Sequence, residues 1–228
     1  MVLTGPVLIV SPHPMDEILG CGGCMATLAD ARVTVATLVL FGNGKGADAG
    51  RREASCASSE ILGTSVPTFA GLPENAGDTV PLGDVIGIVE KAIRAASAAS
   101  VLVCHGGNLN IDHQVAFRAT MTALRPAPGL GVKAFLTYEI ASSTDWTTPG
   151  FDAPFRPNYF ADIEPGLERK LAALSQAGAD CRPWPHARSI EAVRNLALAR
   201  GASVGIGAAE AFSLERFVAS IPDPDEGP

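Results

Sequence analysis

The chain has no run of basic residues: 17 Lys and Arg stand against 24 Asp and Glu, a net charge of -7. Only four of the cations are lysine, and the adjacent basic pairs are Arg51-Arg52 and Arg169-Lys170. Nucleic-acid binding is thereby disfavoured, because it rests on clustered cations that release counterions. Long apolar runs are missing too. The longest, such as residues 33–41, fall far short of the roughly 20 residues that cross a bilayer. No basic stretch precedes the first predicted strand, so no signal peptide is expected and the chain reads as cytoplasmic. The G-x-G-x-x-G fingerprint is absent after that strand, which removes a nucleotide-binding oxidoreductase. Gly42-Asn-Gly-Lys-Gly46 lacks the Gly-Lys-Ser/Thr close of a Walker loop and reads as a mobile rim of a pocket. A second C-x-x-C is missing, so Cys21-Gly-Gly-Cys24 does not make a four-thiolate zinc site. The five cysteines are an odd count without a secreted context and are expected reduced, the pair serving close packing.

What is present is enough apolar material for a large core, 47% of 228 residues. One α/β domain over residues 1–220 is expected, with a polar, Pro-rich tail at 221–228 that frays. Short β-branched runs predict strands at 7–10, 33–40, 66–70, 100–104 and 133–140. Helical spacing predicts helices over 16–29, 51–62, 82–96, 112–124, 165–176, 189–200 and 207–212, with irregular structure from 142 to 162. Alternation of the two implies a Rossmann-like, mainly parallel sheet with helices on both faces, a three-layer α/β/α domain.

Ligands of such sheets bind outside the carboxyl ends of the strands. Two polar segments fall at that edge: Ser11-Pro-His-Pro-Met-Asp-Glu17 after the first strand and His105-Gly-Gly-Asn-Leu-Asn-Ile-Asp-His113 after the fourth. His13 and Asp16 lie three apart across a proline-stiffened turn, and His113 arrives a hundred residues later. A short spacer plus a distant third ligand is the layout of a catalytic zinc site that keeps a position open for water. Nitrogen and oxygen donors also accept iron, manganese or cobalt. Capping of their helices is the plainer role for Asp16 and Asp112.

These same residues carry a resemblance. Ser11-Pro-His-Pro-Met-Asp-Glu-Ile-Leu-Gly-Cys-Gly-Gly23 and Leu109-Asn-Ile-Asp-His113 resemble the two signatures of the PIG-L/LmbE-like deacetylases. Arg51-Arg-Glu-Ala54, Tyr138-Glu139 with Ser142-Ser-Thr-Asp-Trp146, Pro185-His-Ala-Arg-Ser189, Arg200-Gly201 and Ala209-Glu-Ala-Phe212 extend the likeness along the chain. The resemblance implies a Rossmann-like fold and a zinc-dependent hydrolase that removes acyl groups from N-acetylglucosamine-type sugars. It implies His13, Asp16 and His113 as metal ligands and Asp112 as the carboxylate that orients a histidine.

One departure bears on activity. The family's general base is an aspartate, and its position here is Met15, which cannot accept a proton. Asn108 and Asn110 also depart from the acidic residue and the histidine of other members. Three outcomes stay open: another base, with Asp112, His105, His186 or Glu74 as candidates; a substrate that brings its own acid or base; or a metal- and sugar-binding homologue with impaired catalysis. Tyr138 is expected either to hydrogen-bond an oxyanion or to be a strand aromatic. Arg51 and Arg52 are expected to hold a substrate phosphate or carboxylate, or to form a solvated helix start. Glu74, Asn110 and His186 complete the residues expected around the substrate. Trp146, Trp184 and Phe155 can stack on a sugar or pack internally, and the aromatic-rich later segment can build a homo-oligomer contact.

Overall fold

The computed structural model describes residues 3, 5–148 and 150–219; the predicted tail at 221–228 lies outside them. Among the described residues seven strands form one sheet. In chain order they are β1 (Val7–Ser11), β2 (Val35–Phe41), β3 (Thr68–Leu72), β4 (Ser100–Cys104), β5 (Ala134–Tyr138), β6 (Tyr159–Asp162) and β7 (Ala209–Phe217). Six α-helices among the described residues are interleaved: α1 (Asp16–Asp30), α2 (Ala47–Leu62), α3 (Leu82–Ala96), α4 (Ile111–Ala123), α5 (Leu167–Leu174) and α6 (Ile190–Ala202).

The strand order is β3-β2-β1-β4-β5-β7-β6. The first five run parallel, as continuous apolar runs with helical crossovers require. Strands β1, β4 and β5 are buried along their whole length. Helices α1, α2 and α5 pack together on one side, and α3 pairs with α4 on the other. The chain builds outward from β1 to β3, then returns to lay β4 on the other side of β1. That reversal opens a crevice between the loops after β1 and β4. Among the described residues no helix is long and apolar enough to cross a membrane.

Two segments depart from the sequence expectation. Of residues 207–212, expected helical, 209–212 begin β7, which is antiparallel to both β5 and β6. The stretch Ala209-Glu-Ala-Phe has strong intrinsic helix formers, but the unfilled edge of β5 outweighs local preference. Residues 159–162, expected irregular, form β6 on the far side of β7.

The Cys21-Gly-Gly-Cys24 segment lies inside α1, and its cysteines are free and buried. Its surroundings explain the glycines. A Cβ at Gly23 would stand 2.6 Å from Ile163 Cδ1, and one at Gly20 would overlap the Tyr138 ring. The segment is a close-packing surface. Burial raises both thiols well above the ordinary cysteine range, which removes the thiolate that redox chemistry needs.

Candidate metal centre

Strand β1 ends at Ser11, and the two prolines at 12 and 14 stiffen the turn that follows. Met15 closes it in the left-handed region, φ 79°, and Asp16 then opens α1. On the neighbouring loop Asn110 caps α4: its side-chain oxygen accepts from the Asp112 amide at 2.8 Å. This cap places Asp112 and His113 in the first turn, facing the β1 loop across the crevice.

There three ligand atoms meet. His13 Nδ1 and Asp16 Oδ2 are 3.2 Å apart, His113 Nε2 and Asp16 Oδ2 are 3.2 Å apart, and the two histidine nitrogens are 3.2 Å apart. Ligands of a tetrahedral zinc with bonds of about 2.0–2.1 Å are separated by roughly 3.3–3.4 Å. The triangle therefore has the size of one face of a zinc coordination tetrahedron, made of two nitrogens and one oxygen. All three side chains are buried. The residues fit a divalent ion.

Asp112 stands behind His13, its Oδ2 2.8 Å from Nε2. The carboxylate is fixed in turn by the backbone amides of Asn75, 2.6 Å, and Gly77, 2.8 Å. A histidine whose far nitrogen donates to a carboxylate has its tautomer and ring angle set. His113 lacks such support: its Nδ1 is buried with no partner among the described residues. Burial of His13 disfavours its charged form, but hydrogen bonds to Asp112 and Asp16 outweigh this and raise its pKa to about 9. Asp16 and Asp112 shift the other way. Burial opposes their ionisation, yet His113 and His13 hold Asp16 well below the carboxylate range, and His13 with the two amides holds Asp112 low.

The triangle lies on the wall of a cavity of about 380 Å³. Met15, Leu19, Leu174 and Ala177 contribute its apolar residues, with Met15 only 4% exposed and its sulfur 3.8 Å from Ser58 Oγ. Arg51, Glu74, Asn75 and Asn110 contribute polar ones. Glu74 accepts from Arg51 through both oxygens at 2.6 Å, so neither partner is free. Ser142, Ser143, Trp146, Asp180 and Arg188 also line the cavity.

Several sequence-based assignments are corrected here. Tyr138 is fully buried, donates to the Val10 carbonyl at 3.0 Å and packs against α1; it is a core residue with no access to an oxyanion. His105 is outside the cavity wall, with Nε2 3.0 Å from the Ala153 carbonyl and its ring against Phe155. Arg52 lies over the Phe69 ring at 4.2 Å, away from the cavity, because helix periodicity turns it a third of a turn from Arg51. Asp112 is inaccessible and does not line the cavity, and its oxygens are occupied by the His13 ring and the Asn75 and Gly77 amides. His186 sits outside the main cavity on an adjoining recess, edge-on to Trp146. Of the four proposed bases, only Glu74 lines the cavity, locked to Arg51. Asp180 escaped the sequence reading, being contributed by the end of a short 3-10 helix without a motif, and Ser142 was visible inside Ser142-Ser-Thr-Asp-Trp146 but not singled out. Arg188 was visible inside Pro185-His-Ala-Arg-Ser189 but not singled out.

Comparison with known proteins bears on the family and the fold. Residues 8–124, just over half of the chain, match the PIG-L family, described as GlcNAc-PI de-N-acetylase. The chain is 28% identical over 178 residues to the uncharacterized deacetylase YaiS of Escherichia coli (strain K12), an alignment covering 75% of this chain and 89% of that protein. Two solved structures share the fold. N,N'-diacetylchitobiose deacetylase from Pyrococcus horikoshii has a TM-score of 0.73 at 19% identity, covering 92% of this chain and 83% of that one. The 4-carboxy-2-hydroxymuconate hydratase of Pseudomonas putida KT2440 has a TM-score of 0.74 at 19% identity, covering 96% and 99%.

Proposed function

The chain belongs to the PIG-L family, and on that premise we propose that it hydrolyses an N-acyl, foremost N-acetyl, group on an amino sugar or sugar conjugate, using one divalent metal ion. The observation that carries this reading is the triangle of His13 Nδ1, Asp16 Oδ2 and His113 Nε2, with edges of 3.2 Å, on the wall of a sugar-sized cavity. Two nitrogens and one oxygen with no thiolate favour zinc. When bound there, the ion supplies Lewis-acid polarisation of an acyl oxygen and acidifies water.

The protein's own contribution is positional. Asp112 locks His13, while Asn75 and Asn110, joined by a 3.1 Å side-chain bond, line the wall beside the triangle. Met15, Leu19 and Leu174 exclude water from their side of the cavity. Proton transfer is the weak point. Met15 has no ionisable group, and the carboxylates of the cavity outside the triangle, Glu74 and Asp180, both face Arg51, at 2.6 and 3.9 Å. A positioned acid/base group is worth about 10²–10⁴ in rate. Slow turnover is therefore expected, and a metal- and sugar-binding protein with little catalysis is the second reading, favoured by Met15 alone. A related fold serves the hydratase named above, so the bond cleaved must be settled by assay.

The test is acetate release from N-acetylglucosaminides by zinc-loaded native, Met15→Asp and His113→Ala proteins, with metal counted per chain. One zinc per native chain, a gain of roughly 10²–10⁴ on Met15→Asp and none for His113→Ala support the hydrolase scaffold. Native protein that takes up no stoichiometric metal overturns the reading. Metal and sugar binding without acetate release in either the native or the Met15→Asp form leaves the binding protein.

A further inference from the structure

The charges on the cavity wall are not evenly matched. Arg51 is surrounded by acids: Glu74 at 2.6 Å, Asp48 at 3.5 Å and Asp180 at 3.9 Å. Arg188 lines the same cavity and an adjoining recess of about 170 Å³ that contains none of the three metal ligands. Among the described residues Arg188 forms no ion pair. Among the described residues its only side-chain hydrogen bond runs from Nε to Ser142 Oγ at 2.6 Å, and neither terminal nitrogen has an acceptor there. Asp180, the acid of this recess, is drawn to Arg51, while Arg182 adds a second cation.

The arrangement is built rather than incidental. Ser142 is buried and holds φ 65°, a left-handed conformation that costs a non-glycine residue energy and persists only where its surroundings enforce it. The Arg188 amide donates to His186 Nδ1 at 3.0 Å, and His186 in turn stands edge-on to Trp146, ring centres 6.0 Å apart. Trp146 is 56% exposed, leaving aromatic surface open beside the guanidinium. A planar donor fork fixed through Nε, next to an aromatic surface, matches a ring that bears a carboxylate or a phosphate.

We propose that the substrate carries an anionic group, phosphate or carboxylate, and that Arg188 binds it in the outer recess beside Trp146 and sets specificity. The ring that bears the anion rests on the amino-sugar reading above; the anion site rests on Arg188.

Calorimetric titration of zinc-loaded native, Arg188→Gln and Arg188→Lys proteins with N-acetylglucosamine, N-acetylglucosamine 6-phosphate and N-acetylmuramic acid tests this without turnover. One of the acidic sugars should bind native protein about tenfold or more tightly than the neutral sugar, the value of a charge-assisted hydrogen bond. Arg188→Gln should erase that margin and leave the neutral sugar within about twofold, while Arg188→Lys, a point charge, keeps part of it. The sugar phosphate and the sugar acid tell the two anions apart. An Arg188-dependent margin without acetate release keeps the anion site and removes the hydrolase reading. Equal affinity for neutral and acidic sugars, or a margin that survives Arg188→Gln because the anion sits on the metal, overturns the proposal.

Discussion

Asp112 lies behind the metal centre, touching His13 and two backbone amides. Replacing it with asparagine keeps the shape and removes the charge that fixes the histidine tautomer. Metal affinity should then fall about 10–100-fold, the usual cost of losing such a partner, and chelator competition on folded protein measures it. His13 makes the same site sensitive to pH. Its pKa of about 9 means that the metal-free folded protein carries a protonated His13 at neutral pH, whereas a ligating imidazole must be neutral. Metal uptake below pH 9 should therefore release a proton from His13, and affinity should weaken by about tenfold per pH unit as pH falls. Titration at pH 7 in buffers of different ionisation enthalpy counts that proton, and a pH-independent affinity between 7 and 9 would sink the assignment. In the metal-free protein the same raised pKa stabilises the fold fully below about 6.5, and the contribution is lost as pH climbs through about 9.

Helix α1 is held by more than its apolar face. Glu210, reaching across from β7, accepts from the Gly23 and Cys24 amides at 2.8 and 2.7 Å, and from Lys170 Nζ at 2.6 Å. Lys170 also donates to the Leu19 carbonyl at 2.8 Å. One buried ion pair thus serves an N–H pair and a carbonyl of the helix that begins with Asp16 of the candidate metal centre. Removing one partner strands the other charge: Lys170→Met should destabilise the fold by about 3–5 kcal/mol, read from the urea midpoint. Pairing the change with Glu210→Gln should recover part of the loss, and an unshifted midpoint in the single variant would contradict the account. Nothing local in the sequence announced this pair. Lys170 and Glu210 are 40 positions apart, and Glu210 sat in a segment with helical preference. The cysteines and glycines of α1 were legible, because small residues on a buried helix have few other uses.

For the whole molecule, the parallel half of the sheet was readable because buried parallel strands are written as unbroken apolar runs. The meeting of His13, Asp16 and His113 was readable because topology brings the ends of β1 and β4 together whatever the loops do. The antiparallel half was not. Strands β6 and β7 are defined by whom they pair with, and neither shows an unambiguous pattern. Tyr138 misled for a related reason: at the end of β5 its face of the sheet, core or cavity, depends on how α1 packs, and Gly20 admits the ring inward. Arg188 reaches the cavity from a turn and Asp180 from the end of a short 3-10 helix, neither of which has a period to read.

The position of β7 also governs how the chain can be made. Of the described strands it is the last in sequence, yet it lies inside the sheet, and β6 pairs with no other described strand. Until residue 217 emerges, β5 presents an open hydrogen-bonding edge and α1 lacks the carboxylate that satisfies its middle turn. Such an edge invites pairing between nascent chains. The native sheet can close only after synthesis of nearly the whole described chain, and the interval before that is when the protein depends most on being kept apart from its copies.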